Sequence, residues 1–497
     1  MNGIGAGRAV LMVQLGLAAC GCAVGPDFVR PTVETPADFK EWKGWKSAEP
    51  KDEFPRDKWW EAYADENLDA LMEQVNVSNQ NIKQAEAQYR AARALVRSAR
   101  AAYFPVLSAE ANVTRAPGGT NVVTATAPTT GSTGTGAATT TTTKTSSVTN
   151  LYSSSLDASW ELDIWGKLRR MTENASENMK ASAADLGAAR LSAQTELAQD
   201  YFQLRITDEV KRVYEANVEG LQKSLKIAQN QYSVGVASQS DVAQAKTLLK
   251  STQAAAIDLQ IQRAQLEHAI AVLIGKAASD FEMPPAASVA KIPDIPLAQP
   301  SELLERRPDI AASERLVAAA NANVGVARAA YYPSLTLSGA VGYENSSLNH
   351  LFSLANRFWS VGPSMAETLF NGGARRALTD QAIANYDAGV AAYRQTVLAA
   401  FQDTEDNLVA LRVLADEISV QDEATKAADE SEAIALNQYK SGIVSYLNVV
   451  VAESTALANE RASLTLRGRH LASSVALIKS LGGSWTQADP VRDSRSP

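Results

Sequence analysis

The chain has 497 residues, of which 21% are charged, and a formal net charge of -8. This composition is typical of an ordered protein with room for two or three domains. The acidic balance, and the lack of a basic stripe with interleaved aromatic residues, argue against a nucleic-acid partner. Two neighbouring cysteines and three widely separated histidines do not form a zinc or thiol site by spacing, so no metal or cofactor is expected.

The first residues have the pattern of a signal peptide, predicted over residues 1–19. A basic residue is followed by an apolar run that is too short to cross a membrane as a helix. Residues 17–20, Leu-Ala-Ala-Cys, resemble the lipobox of bacterial lipoproteins, which predicts a lipid on Cys20 and a lipidated N-terminal segment over residues 20–58. Cys22 is an alternative lipid site, and an ordinary signal peptide with incidental cysteines is the alternative to both. Because one lipid seldom anchors a protein alone, the rest of the chain is expected to hold the membrane too.

The sequence contains an internal tandem repeat. Residues 101–107 (AAYFPVL) return as 329–335 (AAYYPSL), and residues 227–232 (IAQNQY) return as 434–439 (IALNQY). A repeat of this length predicts two copies of one structural unit around an axis rather than a catalytic scaffold. The predicted segments are the first repeat at 59–283, a linker at 284–300, the second repeat at 301–485 and a C-terminal tail at 486–497.

Each repeat has room for long, unbroken helices. No proline lies between Pro128 and Pro284 or between Pro363 and Pro490. A helix over residues 167–234 would extend roughly 100 Å, which is too long to wrap around a compact core. Alanine-rich antiparallel pairs of this kind pack closely as coiled-coil-like walls. Since no later segment has the roughly eighteen consecutive apolar residues of a spanning helix, a membrane crossing would use strands.

A β-hairpin is predicted ahead of the long helices in each repeat, over about 103–165 and about 331–369. Apolar and polar residues alternate from Ser155 to Ile164, with the acids on one face. The apolar face would meet a protein core in a soluble sheet or lipid in an outer-membrane barrel, and the pattern allows both. Two hairpins give four strands, whereas the smallest useful barrel has about eight, so several chains must pool their strands to close one.

Two glycine-centred turns interrupt the long helical stretches. Gly235 and Gly442 can each end a helix in the left-handed conformation, and Ser238 and Ser445 can cap the helices that follow. Asp241 falls in the opening turn of the first following helix, where the helix dipole favours an acid. These segments are therefore predicted to be the turns of two helical hairpins.

Several motifs resemble the outer membrane factor family, the TolC-like channels of efflux and type I secretion systems, and especially its NodT-like, OprM-like lipoprotein branch. The resemblance covers almost the whole mature chain, and the motifs are specific because they occur together and in order. They are GCAVGPDF at 21–28, Trp59-Trp60 leading into Asn67-Leu68, ERRPDI at 305–310, ARAAYYP at 327–333 and LGGSW at 481–485.

The resemblance implies a mixed α+β fold and a homotrimer in the outer membrane of a Gram-negative cell. Each chain would give four strands to one twelve-stranded β-barrel and its long antiparallel helices to a periplasmic tunnel that continues the barrel. The family has no catalytic residues. It passively conducts small molecules delivered by an inner-membrane pump and a periplasmic adaptor protein, so these two proteins and outer-membrane lipid are the expected partners.

In this family the two glycine turns form the periplasmic tip, which narrows to a gate and meets the adaptor. Related sequences often place aspartates just after the second tip glycine, where threefold symmetry gathers like charges. Here no acid lies between Gly442 and Glu453, so an aspartate gate cannot be carried over to this sequence. We expect Asn448 to line a neutral constriction that apolar neighbours seal; the alternative is that Asn448 only forms hydrogen bonds within the tip. The candidate tip and gate residues are Gly235, Asp241, Gly442, Tyr446, Asn448 and Val451.

Two other functions fit part of the pattern. One is a type I secretion duct. The other is a periplasmic coiled-coil adaptor lipoprotein, which would share the long helical hairpins but should lack duplicated amphipathic β-hairpins with an acidic face. An enzyme is disfavoured because no nucleophile-base constellation and no phosphate-binding loop stands out.

Overall fold

The computed structural model describes residues 23–36, 38–41, 58–117, 148–286, 292–293 and 306–483. The predicted signal peptide, both cysteines, the predicted tail and most of the predicted linker therefore lie outside the described residues.

Helices and strands follow one another in an order that occurs twice. A short 3-10 helix, Trp59–Tyr63, comes first. The helices are α1 (Glu66–Ser78), α2 (Gln80–Ala101), α3 (Lys167–Ser233), α4 (Gln239–Leu273), α5 (Pro308–Ala329), α6 (Ala374–Lys440) and α7 (Tyr446–Ser480). The strands are β1 (Val106–Pro117), β2 (Val148–Leu162), β3 (Ser334–Asn345) and β4 (Arg357–Ala366). None of the described helices has the length and apolar content needed to cross a membrane.

The repeat of the sequence is matched by a repeat in element length. Both α2 and α5 have 22 residues. The long helices α3 and α6 each have 67 residues, and the helices α4 and α7 that follow them each have 35. The series α2-β1-β2-α3-α4 therefore corresponds to α5-β3-β4-α6-α7.

Four antiparallel strands form one sheet in the order β1-β2-β3-β4, which confirms the four strands predicted for the chain. Leu156 of β2 lies opposite Ala109 of β1 and Val341 of β3, and Val341 lies opposite Trp359 of β4. The alternation predicted for β2 therefore continues in register across the whole sheet.

One predicted strand end is wrong, because β2 stops at Leu162 and does not include Ile164. The carboxylate of Asp163 accepts hydrogen bonds from the backbone N–H groups of Leu168 (2.9 Å) and Arg169 (3.0 Å). These bonds satisfy donors at the start of α3 that have no partner within the helix, so the chain leaves the sheet at Asp163.

The chain divides into two compact units, and each draws on both repeats. Of the described residues, the sheet unit takes those within 95–175 and 321–383 together with residues 23–27. The helical unit takes those within 28–94, 176–320 and 384–483.

The helical unit has an aromatic core in which Trp59, Trp60 and Tyr63 are buried. The polar atoms of Trp59 and Tyr63 have hydrogen-bond partners, as burial of Trp and Tyr favours. The Trp59 Nε1–H donates to Gln194 Oε1 at 3.2 Å, and the hydroxyls of Tyr63 and Ser474 are 2.7 Å apart. The Trp59-Trp60 motif is therefore a packing element.

Residues 306–310 of one family motif meet residues 481–483 of the closing motif inside the helical unit. Helix α5 begins at Pro308, within the first of these motifs. The Arg307 guanidinium donates to Asp309 Oδ2 (2.7 Å) and to the carbonyl oxygen of Ser480 (3.3 Å). Gly482 has a φ of 88°, and a Cβ there would lie 2.4 Å from the Arg306 carbonyl oxygen. Both motifs therefore join the start of α5 to the end of α7.

Candidate functional site

The first turn, residues 234–238 between α3 and α4, is closed by backbone hydrogen bonds around Gly235. The N–H of Gly235 donates to the Tyr232 carbonyl (3.0 Å), and the N–H of Val236 donates to the Gln231 carbonyl (2.9 Å). Gly235 has a φ of 84°. This is the bonding pattern that ends a helix at a left-handed residue, and it confirms the prediction for Gly235.

The second turn, residues 441–445 between α6 and α7, has the same backbone. Gly442 has a φ of 72°. Its N–H donates to the Tyr439 carbonyl (2.9 Å), and the N–H of Ile443 donates to the Gln438 carbonyl (2.9 Å). Both glycines are therefore required by conformation, because a left-handed φ strains residues with a side chain.

The side chains that cap the following helices differ between the turns. Ser238 and Asp241 form a reciprocal capping box: Ser238 Oγ accepts from the Asp241 N–H (3.2 Å), and Asp241 Oδ2 accepts from the Ser238 N–H (3.1 Å). Ser445 occupies the equivalent capping position, but its side chain makes no capping hydrogen bond, contrary to prediction. Only the Ser445 carbonyl is engaged, by the N–H of Asn448 at 3.1 Å.

Behind the second turn, two tyrosines pack within an apolar cluster. The rings of Tyr439 and Tyr446 meet edge to face with centroids 5.0 Å apart. Both are buried, and burial raises the pKa of each hydroxyl. The cluster draws residues from α3, α4, α6 and α7: Ala228, Ala245, Tyr439, Tyr446 and Val449.

A buried carboxyl group lies just beyond this cluster. Glu453 on α7 is 3% exposed, and its Oε1 accepts a hydrogen bond from Ser224 Oγ on α3 at 2.7 Å. Its Oε2 has no hydrogen-bond partner among the described residues. Burial raises the pKa of Glu453 to about 7, and the nearby Glu432 charge acts in the same direction. Ser224 and Glu453 therefore join a helix of the first repeat to one of the second.

The six candidate residues differ in exposure. Gly235, Gly442, Asn448 and Val451 are exposed, and Asp241 is half-buried within its capping box. Tyr446 is fully buried, so it supports the second turn from inside and does not offer its ring to a channel. Ser224 and Glu453 are not among the site residues predicted from sequence. The available signal was an acid two helical turns after Tyr446 on the same helix face.

The sheet has one apolar and one polar face. The apolar side chains are exposed, and no other described part of the chain covers them. They are Leu107, Leu156, Leu337, Val341, Trp359 and Val361. The opposite face, by the same register, carries Ser108, Glu110, Asp157, Glu161, Ser338, Glu344 and Ser360.

The described N-terminal residues are fixed to the sheet unit next to the end of β2. The Val24 N–H donates to the Trp165 carbonyl (3.0 Å), and Asp27 accepts from Arg170 Nη2 (2.8 Å). Gly25 has a φ of 107°, and a Cβ there would lie 2.5 Å from the Cα of Gly325. The GPD part of the N-terminal motif is therefore a docking element for the start of the chain.

The aromatic residue beside Gly166 forms part of the same region. The Trp165 ring stacks on Tyr332 with centroids 4.8 Å apart, and its Nε1–H donates to the Pro333 carbonyl at 2.8 Å.

No group of three or more metal-ligating side chains occurs within the described ranges.

Comparison with known proteins gives consistent matches. The model of the family "Outer membrane efflux protein" matches residues 71–276 and 299–483. The chain is 29% identical over 468 residues to the probable efflux pump outer membrane protein TtgC of Pseudomonas putida, covering 94% of this chain and 93% of TtgC. It is 30% identical over 430 residues to the pyoverdine export outer membrane protein OpmQ of Pseudomonas aeruginosa, covering 86% and 87%. The solved structure of the outer-membrane channel OprN superposes with a TM-score of 0.83 at 30% identity, covering 93% of this chain and 99% of OprN.

Proposed function

Because the chain belongs to the outer membrane efflux protein family and is an outer-membrane channel of an efflux system, we propose that it works as a homotrimer. Three copies would pool four strands each into one closed barrel, and their long helices would form the periplasmic tunnel. Cargo passes through without any chemical step on this chain. An inner-membrane pump delivers the cargo, and a periplasmic adaptor protein joins the pump to the channel.

The observation that carries this proposal is the amphipathic sheet. Its apolar face is exposed and its other face is polar and acidic, as expected where lipid and a wet lumen lie on opposite sides. The outer edges of β1 and β4 have no strand partner among the described residues. Native proteins protect free strand edges, and barrel closure removes them; pairing β4 of one copy with β1 of the next would close a barrel.

The two turns are proposed to form the periplasmic tip that contacts the adaptor. Several apolar side chains next to the glycines are exposed, including Val234, Val236, Ile443, Leu447 and Val451. We propose that Asn448 and Val451, which are also exposed, line a neutral gate in the trimer. If Asn448→Asp leaves single-channel conductance and block by divalent cations unchanged, Asn448 does not line the constriction.

A lipid on Cys20, with Cys22 as the alternative, is proposed to add a second membrane contact. Support comes from residues 23–27, which hold the start of the described chain beside Trp165 at the end of β2. Replacing each cysteine by serine in turn and weighing the mature protein identifies the modified residue. Lipidation is ruled out if neither change removes the mass of the acyl groups.

The cargo is proposed to be small molecules. Among the relatives, OpmQ is named for pyoverdine export and TtgC as an efflux pump component. Deleting the gene should increase susceptibility to the toxic cargo, and the cloned gene should restore resistance.

A matched pair of substitutions on β2 tests the proposed assembly. Leu156→Arg puts a charge on the apolar face, where a mid-bilayer arginine costs about 2–4 kcal/mol, whereas Ser155→Arg puts it on the polar face. We expect unheated gels of outer-membrane extracts to show a trimer band for wild type and Ser155→Arg, and a depleted band for Leu156→Arg. Equal depletion by both changes, or a wild-type monomer in the soluble fraction, contradicts the proposal.

A further inference from the structure

The charged side chains of the strands are sorted by sign between the two faces of the sheet. The pairing register places all four acids on the polar face: Glu110, Asp157, Glu161 and Glu344. Both arginines of the strands lie on the apolar face, where Arg115 is opposite Asn150 and Arg357 is opposite Tyr343. A wet lumen accounts for the acids, but it does not account for two cations on the face that the proposed barrel turns toward lipid.

Both arginines lie toward the end of the sheet that is away from the helices. Since β1 follows α2 and β4 leads to α6, Leu107 and Met365 mark the helix end. Arg115 lies eight residues beyond Leu107, and Arg357 lies eight residues before Met365. At about 3.3 Å per residue and a tilt of about 40°, eight residues rise about 20 Å, close to the height of the apolar band of a barrel, about 25 Å. In the proposed barrel both guanidinium groups therefore lie at the level of the lipid head groups on the cell exterior.

Aromatic rings mark the same level of the sheet. Tyr343 lies directly opposite Arg357, and Phe352 from the β3–β4 connection meets the Tyr343 ring with centroids 5.5 Å apart. Phe352 is 71% exposed, and Trp359 is 70% exposed. Exposed aromatic side chains collect where the apolar band of a membrane protein ends. The rings therefore support an interfacial position for Arg357.

No described residue neutralises these two arginines. Both side chains are exposed, and neither has an ion pair or a hydrogen bond to another described residue. The two connections at this end of the sheet supply no acid, because residues 118–147 and 346–356 contain no aspartate or glutamate. The described strands of a neighbouring copy supply none on this face either, since their acids all lie on the polar face. An unpaired guanidinium at a membrane surface is suited to phosphate, which it holds through two parallel N–H···O bonds.

We infer that Arg115 and Arg357 bind the phosphate groups of a glycolipid in the outer leaflet of the outer membrane. The inference rests on the proposed homotrimer, because the two arginines of one chain lie on opposite edge strands, about 14 Å or more apart at about 4.8 Å per strand. Pairing β4 with β1 of the next copy brings Arg357 of one copy and Arg115 of the next onto adjacent strands. Each seam between copies then has one site, to which both copies contribute a cation.

The apolar surroundings favour a lipid over free phosphate. Val113 lies two residues inward of Arg115 on the same face and is 65% exposed, and Trp359 has the same relation to Arg357. The acyl chains of one lipid molecule can cover these side chains while its phosphates reach the arginines. Free phosphate would contact the guanidinium groups alone and would leave the apolar side chains uncovered.

Native mass spectrometry of the detergent-extracted trimer measures this binding. The probes are lipopolysaccharide and the same lipid after removal of the phosphates of its lipid A part. We expect one tightly bound molecule of the intact lipid per seam, and about tenfold weaker binding of the phosphate-free lipid, because charged hydrogen bonds are lost. Equal binding of the two lipids refutes the inference. Displacement of the intact lipid by inorganic phosphate at the same concentration refutes it as well.

Substitutions test each arginine separately. Arg115→Gln and Arg357→Gln should each weaken binding of the intact lipid about tenfold and leave binding of the phosphate-free lipid unchanged. Arg357→Lys keeps the charge but loses the two parallel bonds, so its binding should fall between that of wild type and Arg357→Gln. The matched control is Arg90→Gln, which changes an exposed arginine of α2 and should bind both lipids as wild type does.

Unheated gels of the same samples separate this inference from the assembly on which it rests. If the glutamine variants keep the trimer band and bind the intact lipid as tightly as wild type, the lipid site is refuted while the homotrimer stands. If wild type gives no trimer band, the proposed homotrimer itself fails. Should a glutamine variant not assemble, Arg115→Lys and Arg357→Lys take its place, and binding by both that equals wild type refutes the site.

Discussion

The first and second turns have the same backbone but are held by different side chains. At the first turn a capping box between Ser238 and Asp241 satisfies the start of α4, and Tyr232, just before the turn, is 47% exposed. At the second turn the cap is absent, and the equivalent Tyr439 is 4% exposed against Tyr446. Glycine fixes the shape of both turns, whereas local polar bonds secure one and burial secures the other.

This difference predicts which changes loosen which turn. Removing buried side chains should act on the second turn and removing polar caps should act on the first. In the proposed periplasmic tip, the two turns would therefore respond to different disturbances.

The largest expected effect comes from truncating the tyrosines. Tyr439→Ala should destabilise the protein by about 3–5 kcal/mol, because it empties a buried aromatic site. Tyr232→Ala, at the equivalent exposed position, should cost well under about 1 kcal/mol. Thermal unfolding followed by circular dichroism at the helix band compares them, and equal losses would contradict the distinction between the turns.

The next effect depends on pH and concerns Glu453. Its pKa is raised from 4.5 to about 7 in the folded chain, so the stability that its protonated form gives is complete below about pH 4.5. That contribution is lost as the pH rises through about 7. Glu453→Gln should therefore be more stable than wild type at about pH 8, by about 3 kcal/mol, and equal to it near pH 4. The exposed acid change Glu215→Gln is the control, and a pH-independent effect of Glu453→Gln would refute the assignment.

The turn glycines should respond alike. Gly235→Ala and Gly442→Ala each force a residue with a Cβ into the left-handed region, at a cost of about 1–2 kcal/mol, although nothing lies within 4 Å of either added Cβ. Gly220→Ala also meets open space but lies inside α3 with a helical φ, so it should stabilise by about 0.5–1 kcal/mol. Chemical denaturation of the detergent-extracted protein measures all three, and a stabilising Gly442→Ala would contradict the backbone described.

The smallest effects concern the caps. Asp241→Ala should cost about 1 kcal/mol because it breaks the capping box, and Asn448→Ala should cost a few tenths. Hydrogen exchange of the first residues of α4 and α7 reports on each helix start separately. Faster exchange in α7 than in α4 after these changes would reverse the predicted order.

Sequence patterns predicted the elements well where the signal was local. Absence of proline marked α3 and α6, and glycine followed by serine marked both turns. Alternation marked the strands, except that Asp163 was assigned to β2 although its carboxylate caps α3. Period-two patterns cannot distinguish an acid on a strand from an acid that begins a helix.

The contacts that secure the second turn could not be predicted in this way. Ser224 and Glu453 are separated by more than two hundred positions in the chain, and no periodicity connects them. The place of Tyr446 in the sequence predicts a tip or gate residue, but four helices converge on Tyr446 and bury it. Which face of a helix is covered depends on its neighbours, which a single sequence does not specify.

The equal lengths of α3 and α6 restrict how such a gene can change. Deleting one residue from one of them would turn every later side chain of that helix by about 100° and draw its end back by about 1.5 Å, while the other helix stayed in place. Insertions or deletions should therefore persist only when they occur in both halves together, and most readily as whole heptads that keep the same face inward. After the duplication, the length of each half therefore constrains the length of the other.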